Sequence, residues 1–193
     1  MKRICVYCGS SMGRNPRYRD AAFELGSELV DRGLGLVYGG ASVGIMGTIA
    51  DAVLARGGEV IGVIPKALDK KEIAHTRLSK LHVVESMHER KALMADLSDG
   101  FIAMPGGWGT IEEIFEALTW AQLGFHRKPC GLLNEEGYYD HLFNFLEHAI
   151  DQQFVKAEYW PMLIMQPDAA SILDSFSTYE PPDVKKWIST TET

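Results

Sequence analysis

Short apolar runs alternate with helical patterns along almost the whole chain, and this alternation most constrains the fold. Seven runs predict strands: Arg3–Tyr7, Gly35–Tyr38, Val60–Ile64, His82–Val84, Gly100–Met104, Cys130–Leu133 and Pro161–Met165. Six periodic stretches predict helices: Arg17–Arg32, Gly44–Arg56, Met87–Leu97, Thr110–Leu123, Tyr138–Gln153 and Asp168–Ser175. Alternating strands and helices indicate an α/β fold, a parallel sheet with helices on both faces. Ligands of such sheets bind at the carboxyl ends of the strands.

The length of 193 residues fits a single domain with an ample core. We expect residues 1–179 to form it and residues 180–193, which open on Glu180-Pro181-Pro182, to form a peripheral tail. The net charge of −7 argues against a nucleic-acid polymer or a membrane surface as the main partner. With no long apolar run and no signal-peptide pattern, we expect a cytoplasmic protein.

Cys5 and Cys8 form a C-x-x-C pair, a spacing that can serve redox chemistry or zinc binding. The pair lies on and just after the first predicted strand, whereas a redox pair normally opens a helix. A zinc site would need two further ligands nearby. We therefore expect buried structural thiols and no metal, and three cysteines, with Cys130 as the third, fit a reducing compartment.

A glycine-rich turn follows the fifth predicted strand: Pro105-Gly106-Gly107-Trp108-Gly109-Thr110-Ile111-Glu112-Glu113. Glycines let a backbone approach a phosphate, and the free N–H groups of a helix start point at it. The turn matches neither the P-loop nor the dinucleotide-binding pattern. It is therefore either a ligand-phosphate site or a tight turn alone. Its two carboxylates either complement the helix dipole or act on the sugar or base of a nucleotide.

Two other turns also follow strands. In the second turn, the small residues Gly39, Gly40 and Gly44 fit either close approach of a ligand or tight strand–helix packing. In the first turn, the hydroxyl of Ser10 either binds phosphate or caps the next helix. The lysine-rich segment 66–80 is either an exposed connection or a mobile loop that closes over a ligand.

Ser86 and Glu89 form an S-x-x-E capping box, which predicts a helix start. Arg90 then shares one helix face with the apolar residues Leu93, Met94 and Leu97. An arginine is almost never buried unless it is paired. Arg90 therefore either snorkels or pairs internally, or it faces a strand-end cleft and meets a phosphate or charge formed in a reaction.

The helix Thr110–Leu123 has a predicted core stripe of Ile111, Ile114, Phe115, Leu118 and Gln122. Glu113 is expected roughly opposite that stripe, on a second face that Ala117 and Trp120 make partly apolar. A helix that is apolar on two faces is usually covered on both. We therefore expect at least a homodimer.

Two motifs follow one another in the sequence: Met87-His88-x-Arg90-Lys91 and then Pro105-Gly106-Gly107-x-Gly109-Thr110-x-x-Glu113. With these motifs, and with further likeness from Cys8 to Asn134, the chain resembles the Lonely Guy (LOG) family of cytokinin riboside 5′-monophosphate phosphoribohydrolases, long mislabelled lysine decarboxylases. The resemblance implies a Rossmann-like, doubly wound single domain, a dimer, and hydrolysis of the N-glycosidic bond of a nucleoside 5′-monophosphate. The products would be the free base and ribose 5-phosphate, and we expect no cofactor.

The resemblance also implies site residues. Arg90 and Glu113 are the implied catalytic pair. The implied ligand contacts are Glu72, Arg90, Lys91, Gly107, Trp108, Gly109, Thr110, Ile111, Glu112, Glu113 and Thr119. Secondary candidates are Ser10, Gly39, Gly40, Gly44 and Met87. Ala41 stands where the family usually has a third glycine, and Trp108 replaces a commoner Tyr. We expect these two differences to alter how the phosphate fits or which base is preferred.

The chemistry agrees with these roles. Departure of the base leaves an oxocarbenium-like ribosyl cation. A carboxylate such as Glu113 would either stabilise this cation or activate the water that attacks it. Arg90 is too weak an acid to donate a proton, so it would bind phosphate or stabilise charge on the departing base. The group that protonates the base is not identified by the sequence.

Two rival functions are a pyridoxal-phosphate-dependent lysine decarboxylase and a non-catalytic carrier or sensor of a nucleotide or cofactor. The decarboxylase needs a Schiff-base lysine, and no lysine follows the glycine turns. The carrier explains the turns but not Arg90 and Glu113 together.

Overall fold

The computed structural model describes residues 1–69 and 74–183. Its strands are β1 (Arg3–Tyr7), β2 (Gly35–Tyr38), β3 (Val60–Pro65), β4 (Lys80–Val84), β5 (Gly100–Ala103), β6 (Cys130–Leu133) and β7 (Leu163–Gln166). Its α-helices are α1 (Arg17–Asp31), α2 (Gly44–Ala55), α3 (Lys66–Asp69), α4 (Met87–Asp96), α5 (Trp108–Leu123), α6 (Asp140–Asp151) and α7 (Ala169–Ser177). Two 3₁₀ helices span Glu135–Gly137 and Ala157–Met162. Every predicted strand and helix is present with its ends within two residues, and α3 was not predicted.

The seven strands form one parallel sheet in the order β4-β3-β2-β1-β5-β6-β7. The chain builds outward from β1 to β4, returns to the other side of β1 to form β5, and builds outward again. The direction therefore reverses between β1 and β5, which pair from Ile4 with Gly100 to Tyr7 with Ala103. Such a reversal opens a crevice at the carboxyl ends of the two strands, where open α/β sheets bind ligands.

Helices cover both faces of the sheet, as the alternating pattern predicts. Residues of α1, α2 and α7, among them Leu25, Ile49 and Phe176, are buried on one face. Residues of α4 and α5, among them Met94 and Ile114, are buried on the other. The central strands are thus buried on both sides, which is why they read as continuous apolar runs in the sequence.

The orientation of α5 differs from the prediction. Its buried side chains are Thr110, Glu113, Ile114, Ala117 and Ala121. The other members of the predicted stripe, namely Ile111, Phe115, Leu118 and Gln122, are only half-buried. The expectation that Glu113 points away from the core face was therefore wrong. Three of the buried side chains, Thr110, Ala117 and Ala121, are small. The half-buried Phe115 and Leu118 line a groove together with residues of the 3₁₀ segment Ala157–Met162.

The three cysteines are buried and free, as predicted for structural thiols. Residues 1–69 and 74–183 contain no cluster of three His, Cys, Asp or Glu side chains suited to a metal ion. None of the helices described there is both long and apolar enough to cross a membrane. The division at residue 179 stays a prediction, and residues 184–193 of the expected tail lie outside the described residues.

Candidate active site

Three strand-end turns meet at the carboxyl edge of the sheet. The Gly9 N–H donates to Pro105 O at 3.2 Å, and the Met46 N–H donates to Gly9 O at 3.3 Å. These bonds join the turns after β1, β2 and β5 into one surface. A crevice of about 200 Å³ lies there, and its lining includes the exposed Ser10, Gly106, Gly107 and Tyr138.

The capping box at α4 places Arg90 in the first helical turn. Ser86 Oγ accepts from the Glu89 N–H at 3.1 Å, while the Glu89 carboxylate accepts from the Glu85 N–H at 2.8 Å. Arg90 is 9% exposed. Its Nε donates to Val63 O at 3.2 Å, and its Nη2 lies 3.4 Å from Glu113 Oε1. The two predictions for Arg90 are thus compatible, because its side chain pairs internally and also lies at the carboxyl ends of the strands.

The second turn is shaped around Arg90. A β-carbon at position 39 would overlap the Arg90 guanidinium and the Met46 side chain. Gly40 and Gly44 have φ values of +78° and +60°, which favour glycine, and a β-carbon at Gly44 would overlap the Ser10 backbone. Close packing at Gly39 and Gly44 and the positive φ of Gly40 and Gly44 therefore account for all three glycines. Their contact with a ligand stays a prediction.

Glu113 is a buried carboxylate with spare acceptor capacity. It is 9% exposed, and no described residue donates a hydrogen bond to it. Burial raises the pKa of Glu113 above its ordinary value of 4.5, and the nearby Arg90 charge offsets this only in part. A carboxylate in this state holds a proton more readily than an exposed one and can accept hydrogen bonds from a bound ligand.

Lys91 lies on α4 beside the Arg90–Glu113 pair, and its ammonium group already has two carboxylate partners. Its Nζ lies 2.6 Å from Glu112 Oε1 and 3.0 Å from Glu116 Oε1. Burial lowers the pKa of Lys91, but the two carboxylates more than offset that effect and leave it raised. Lys91 and Glu112, both expected as ligand contacts, thus contact one another.

The start of α5 presents unused hydrogen-bond donors. Gly107 is the N-cap and supplies no side-chain bond, and the N–H groups of Trp108, Gly109 and Thr110 find no acceptor among the described residues. A β-carbon at Gly107 or Gly109 would meet no other described residue within 4 Å. Neither packing nor a positive φ therefore requires glycine at these two positions. The result is an open backbone surface that an anion can approach.

The remaining expected residues are placed less centrally. Trp108 is 90% exposed at the start of α5, and Ile111 is half-buried. Met87 Sδ lies 3.8 Å from Arg90 Nη1. Thr119 is exposed, donates its hydroxyl to Phe115 O at 2.7 Å, and lines an apolar groove against α6 and Ala157–Met162, away from the Arg90–Glu113 pair.

Glu72 lies outside the described residues. The described part of its segment is attached to the second turn, where the His75 N–H donates to Gly40 O at 2.8 Å. Sequence reasoning did not single out Tyr18 and Tyr138, which line the crevice, or the Val63 carbonyl that holds Arg90. No short motif marks these groups, because each acts through a contact between distant segments.

The arrangement suits chemistry on a phosphorylated sugar. A helix start offers donors for an anion, a buried carboxylate lies one helical turn further along, and a guanidinium lies beside it. The carboxylate can stabilise a developing cation or accept a proton from water.

Comparison with known proteins agrees with this chemistry. A family model described as possible lysine decarboxylase matches residues 46–176. Cytokinin riboside 5′-monophosphate phosphoribohydrolase LOG7 of Arabidopsis thaliana is 49% identical over 180 residues, which cover 93% of this chain and 83% of that protein. The Arabidopsis LOG1 enzyme of the same description is 50% identical, with 93% and 84% covered. The probable enzyme LOGL9 of Oryza sativa subsp. japonica is 51% identical, with 93% and 79% covered.

Solved structures share the fold at lower identity. The molybdenum cofactor binding protein of Rippkaea orientalis is 21% identical, with a TM-score of 0.69 over 92% of this chain and 97% of that one. The molybdenum cofactor carrier protein of Chlamydomonas reinhardtii is 21% identical, with a TM-score of 0.67 over 91% and 96%. These two likenesses bear on the fold alone, and the family follows from the model match and the relatives near 50% identity: the chain belongs to the LOG family.

Proposed function

We propose that this protein hydrolyses the N-glycosidic bond of a nucleoside 5′-monophosphate, either a cytokinin riboside 5′-monophosphate, AMP or both. The products are the free base and ribose 5-phosphate. The observation that carries the proposal is the buried Glu113 carboxylate, which lies 3.4 Å from Arg90 and on α5, the helix whose start has unused N–H groups. Relatives of this description that are 49–51% identical over 93% of the chain support it.

The spacing along α5 fits a ribose 5-phosphate. The unused N–H groups at Trp108–Thr110 hold the 5′-phosphate, and Glu113 lies about 6 Å further along the helix axis than Gly109, at 1.5 Å per residue. This distance lets C1′ of the ribose reach the Glu113 carboxylate while the 5′-phosphate is bound at the start of α5. Arg90, which pairs with Glu113 at 3.4 Å, binds the phosphate or stabilises charge on the departing base.

The reaction then runs as a hydrolysis. The C1′–N bond breaks and its electron pair goes to the base, while the carboxylate of Glu113 stabilises the ribosyl cation. A water molecule bonds to C1′ and gives one proton to Glu113, whose burial-raised pKa suits it as an acceptor. That proton is finally taken up by the released base, so atoms and charge balance.

Arg90 and Glu113 are the proposed catalytic residues. The proposed ligand contacts are Glu72, Lys91, Gly107, Trp108, Gly109, Thr110, Ile111, Glu112 and Thr119, and the secondary ones are Ser10, Gly39, Gly40, Gly44 and Met87. Since Lys91 and Glu112 pair with each other, a ligand that contacts them shares an existing ion pair.

A panel of nucleoside 5′-monophosphates tests the function, with each unphosphorylated nucleoside as its matched control and released base as the readout. We expect base from a purine monophosphate and almost none from the nucleoside, because phosphate binding supplies part of the transition-state stabilisation. Equal rates on AMP and adenosine would refute the role of the phosphate subsite. Recovery of every nucleotide intact would make the protein a carrier or sensor instead.

We further propose that the protein acts as at least a homodimer. Thr119 points away from Glu113 on the same helix, so it can reach a nucleotide only if a second copy supplies it. Light scattering at micromolar concentration, beside activity, tests this, and a fully active monomer would contradict it. We also propose a cytoplasmic location, which the three free buried thiols support.

A further inference from the structure

We infer that Tyr138 is a positioning residue that orients the backbone of the phosphate-binding turn. Its hydroxyl donates to Gly106 O at 2.6 Å. In a trans peptide the carbonyl and the following N–H point in opposite directions. The bond to the Gly106 carbonyl therefore also sets the direction of the Gly107 N–H, which has no acceptor among the described residues. The inference rests on the proposed function, since it assigns this N–H to the substrate phosphate.

This peptide needs an anchor. It joins two glycines, which have more backbone freedom than any other pair of residues. The neighbouring positions are held by other bonds: the Met104 N–H donates to Tyr7 O at 2.9 Å, and the Ile111 N–H donates to Gly107 O at 3.2 Å. The hydroxyl of Tyr138 is the one described group that holds the Gly106 carbonyl.

The loop that carries Tyr138 is built to hold it. The Asn134 side chain accepts from the Tyr139 N–H at 2.7 Å and donates to Asp140 Oδ1 at 2.7 Å. Buried Glu135 pairs with Arg17 Nη2 at 2.9 Å. Glu136 has a φ of +54°, an uncommon conformation for a residue with a side chain, which persists only where its surroundings enforce it.

Tyr138 is not a core residue, which argues that its hydroxyl bond serves the crevice. The residue is 39% exposed and lines the crevice together with Gly106 and Gly107. Its ring is held edge-on by Tyr18, at 5.5 Å between centroids, and by Tyr139, at 4.9 Å. The ring contacts thus fix the direction of the Tyr138 hydroxyl, while part of the ring remains exposed in the crevice.

The next residue provides a matched control. Tyr139 is 1% exposed and donates its hydroxyl to Met104 O at 2.7 Å. That carbonyl belongs to a segment already hydrogen-bonded to β1, so its bond contributes to stability and does not orient a free N–H. Tyr138→Phe and Tyr139→Phe each remove one hydroxyl that bonds the same turn.

We expect Tyr138→Phe to raise KM for the nucleotide about fivefold to tenfold, the effect of one lost hydrogen bond, with kcat within about twofold. The inhibition constant of the product ribose 5-phosphate should rise by the same factor, and that of the free base should not change. Tyr139→Phe should lower the melting temperature and leave KM unchanged. Unchanged KM in Tyr138→Phe, or equal weakening of ribose 5-phosphate and base, would overturn the inference.

Calorimetric binding of AMP to the unmutated protein and to Tyr138→Phe separates this inference from the proposed function. If the unmutated protein binds AMP but releases base from no nucleotide of the panel, the proposed hydrolysis fails, and a weaker Kd in Tyr138→Phe still supports the positioning role. If the unmutated protein hydrolyses AMP and both proteins bind it equally, the inference fails and the hydrolysis stands. If the unmutated protein binds neither AMP nor any other nucleoside 5′-monophosphate of the panel, both fail.

Discussion

The two glycine turns that flank the candidate site look alike in the sequence and differ in the structure. In the turn after β2, a β-carbon at Gly39, Gly44 or Gly47 would overlap protein atoms. In the turn after β5, a β-carbon at Gly107 or Gly109 would meet no other described residue within 4 Å. The turn after β2 is closed around Arg90 and the Ser10 backbone, whereas the turn after β5 is open at Gly107 and Gly109.

Glycines thus serve two purposes in one site. In the closed turn, Gly39 lets the guanidinium of Arg90 lie against the backbone. In the open turn, Gly107 and Gly109 lie where no other described residue approaches, which leaves room for a ligand, whereas a β-carbon at Gly106 would overlap the Thr110 side chain. Glu113 connects the two, because it lies on the helix of the open turn and pairs with the arginine held by the closed one.

The largest expected effect is that of Glu113→Gln, which removes the charge at the point where the two turns meet. We expect kcat to fall by roughly 10²–10⁴, as for a positioned acid–base group, with fold and nucleotide binding largely intact. Arg90→Ala should weaken binding as well as turnover, because it also removes a contact. Steady-state kinetics beside melting temperatures measure both. An active Glu113→Gln protein with a lowered melting temperature would make Glu113 structural, and Glu72 would be the next candidate.

The second prediction is a pH dependence. If catalysis needs the Glu113 carboxylate, activity falls about tenfold per unit as pH drops below its pKa, which burial raises above 4.5. Stability moves in the opposite direction: protonated Glu113 favours the fold, and this contribution is lost as pH rises through the raised pKa. A pH profile of kcat measures the acid limb, and the residual activity of Glu113→Gln should lack it. A limb that persists in the variant belongs to another group.

The third prediction tests the closed turn. Gly39→Ala should displace the Arg90 guanidinium from Val63 O and Glu113, because the new methyl group occupies its place. We expect kcat/KM to fall about tenfold and the free energy of unfolding to fall by about 1–3 kcal/mol, typical of overpacking. Kinetics and chemical denaturation measure the two effects. Unaltered kinetics would mean that the site does not depend on this position of Arg90.

The smallest effect is expected at the open turn. Gly109→Ala places a methyl group in free space within α5, so stability should rise by about 0.5–1 kcal/mol, since alanine favours a helix more than glycine does. KM for the nucleotide should nevertheless rise a few-fold, because the methyl group obstructs the phosphate. The same assays as for Gly39→Ala apply, which makes the two variants a matched pair. If KM does not change, the ligand does not approach the backbone at Gly109.

The order of strands and helices along the chain and the start of α4 could be predicted from the sequence alone. Strands buried on both faces must be apolar throughout, and a capping box acts within four residues, so both leave local signals. The motifs around Arg90 and Glu113 likewise identified the family and the two residues of the candidate site.

How these parts meet depends on packing between distant segments. The buried face of α5 includes Glu113 and the small Ala117 and Ala121, whereas the stripe predicted from large side chains has only Ile114 buried. Arg90 and Glu113 lie on different helices and meet because α4 and α5 cover the same face of the sheet. The two glycine turns differ in which atoms lie next to their glycines, and the bond from Tyr138 to Gly106 joins residues 32 positions apart. Close packing between distant segments sets such contacts, and no pattern within a short window of sequence encodes them.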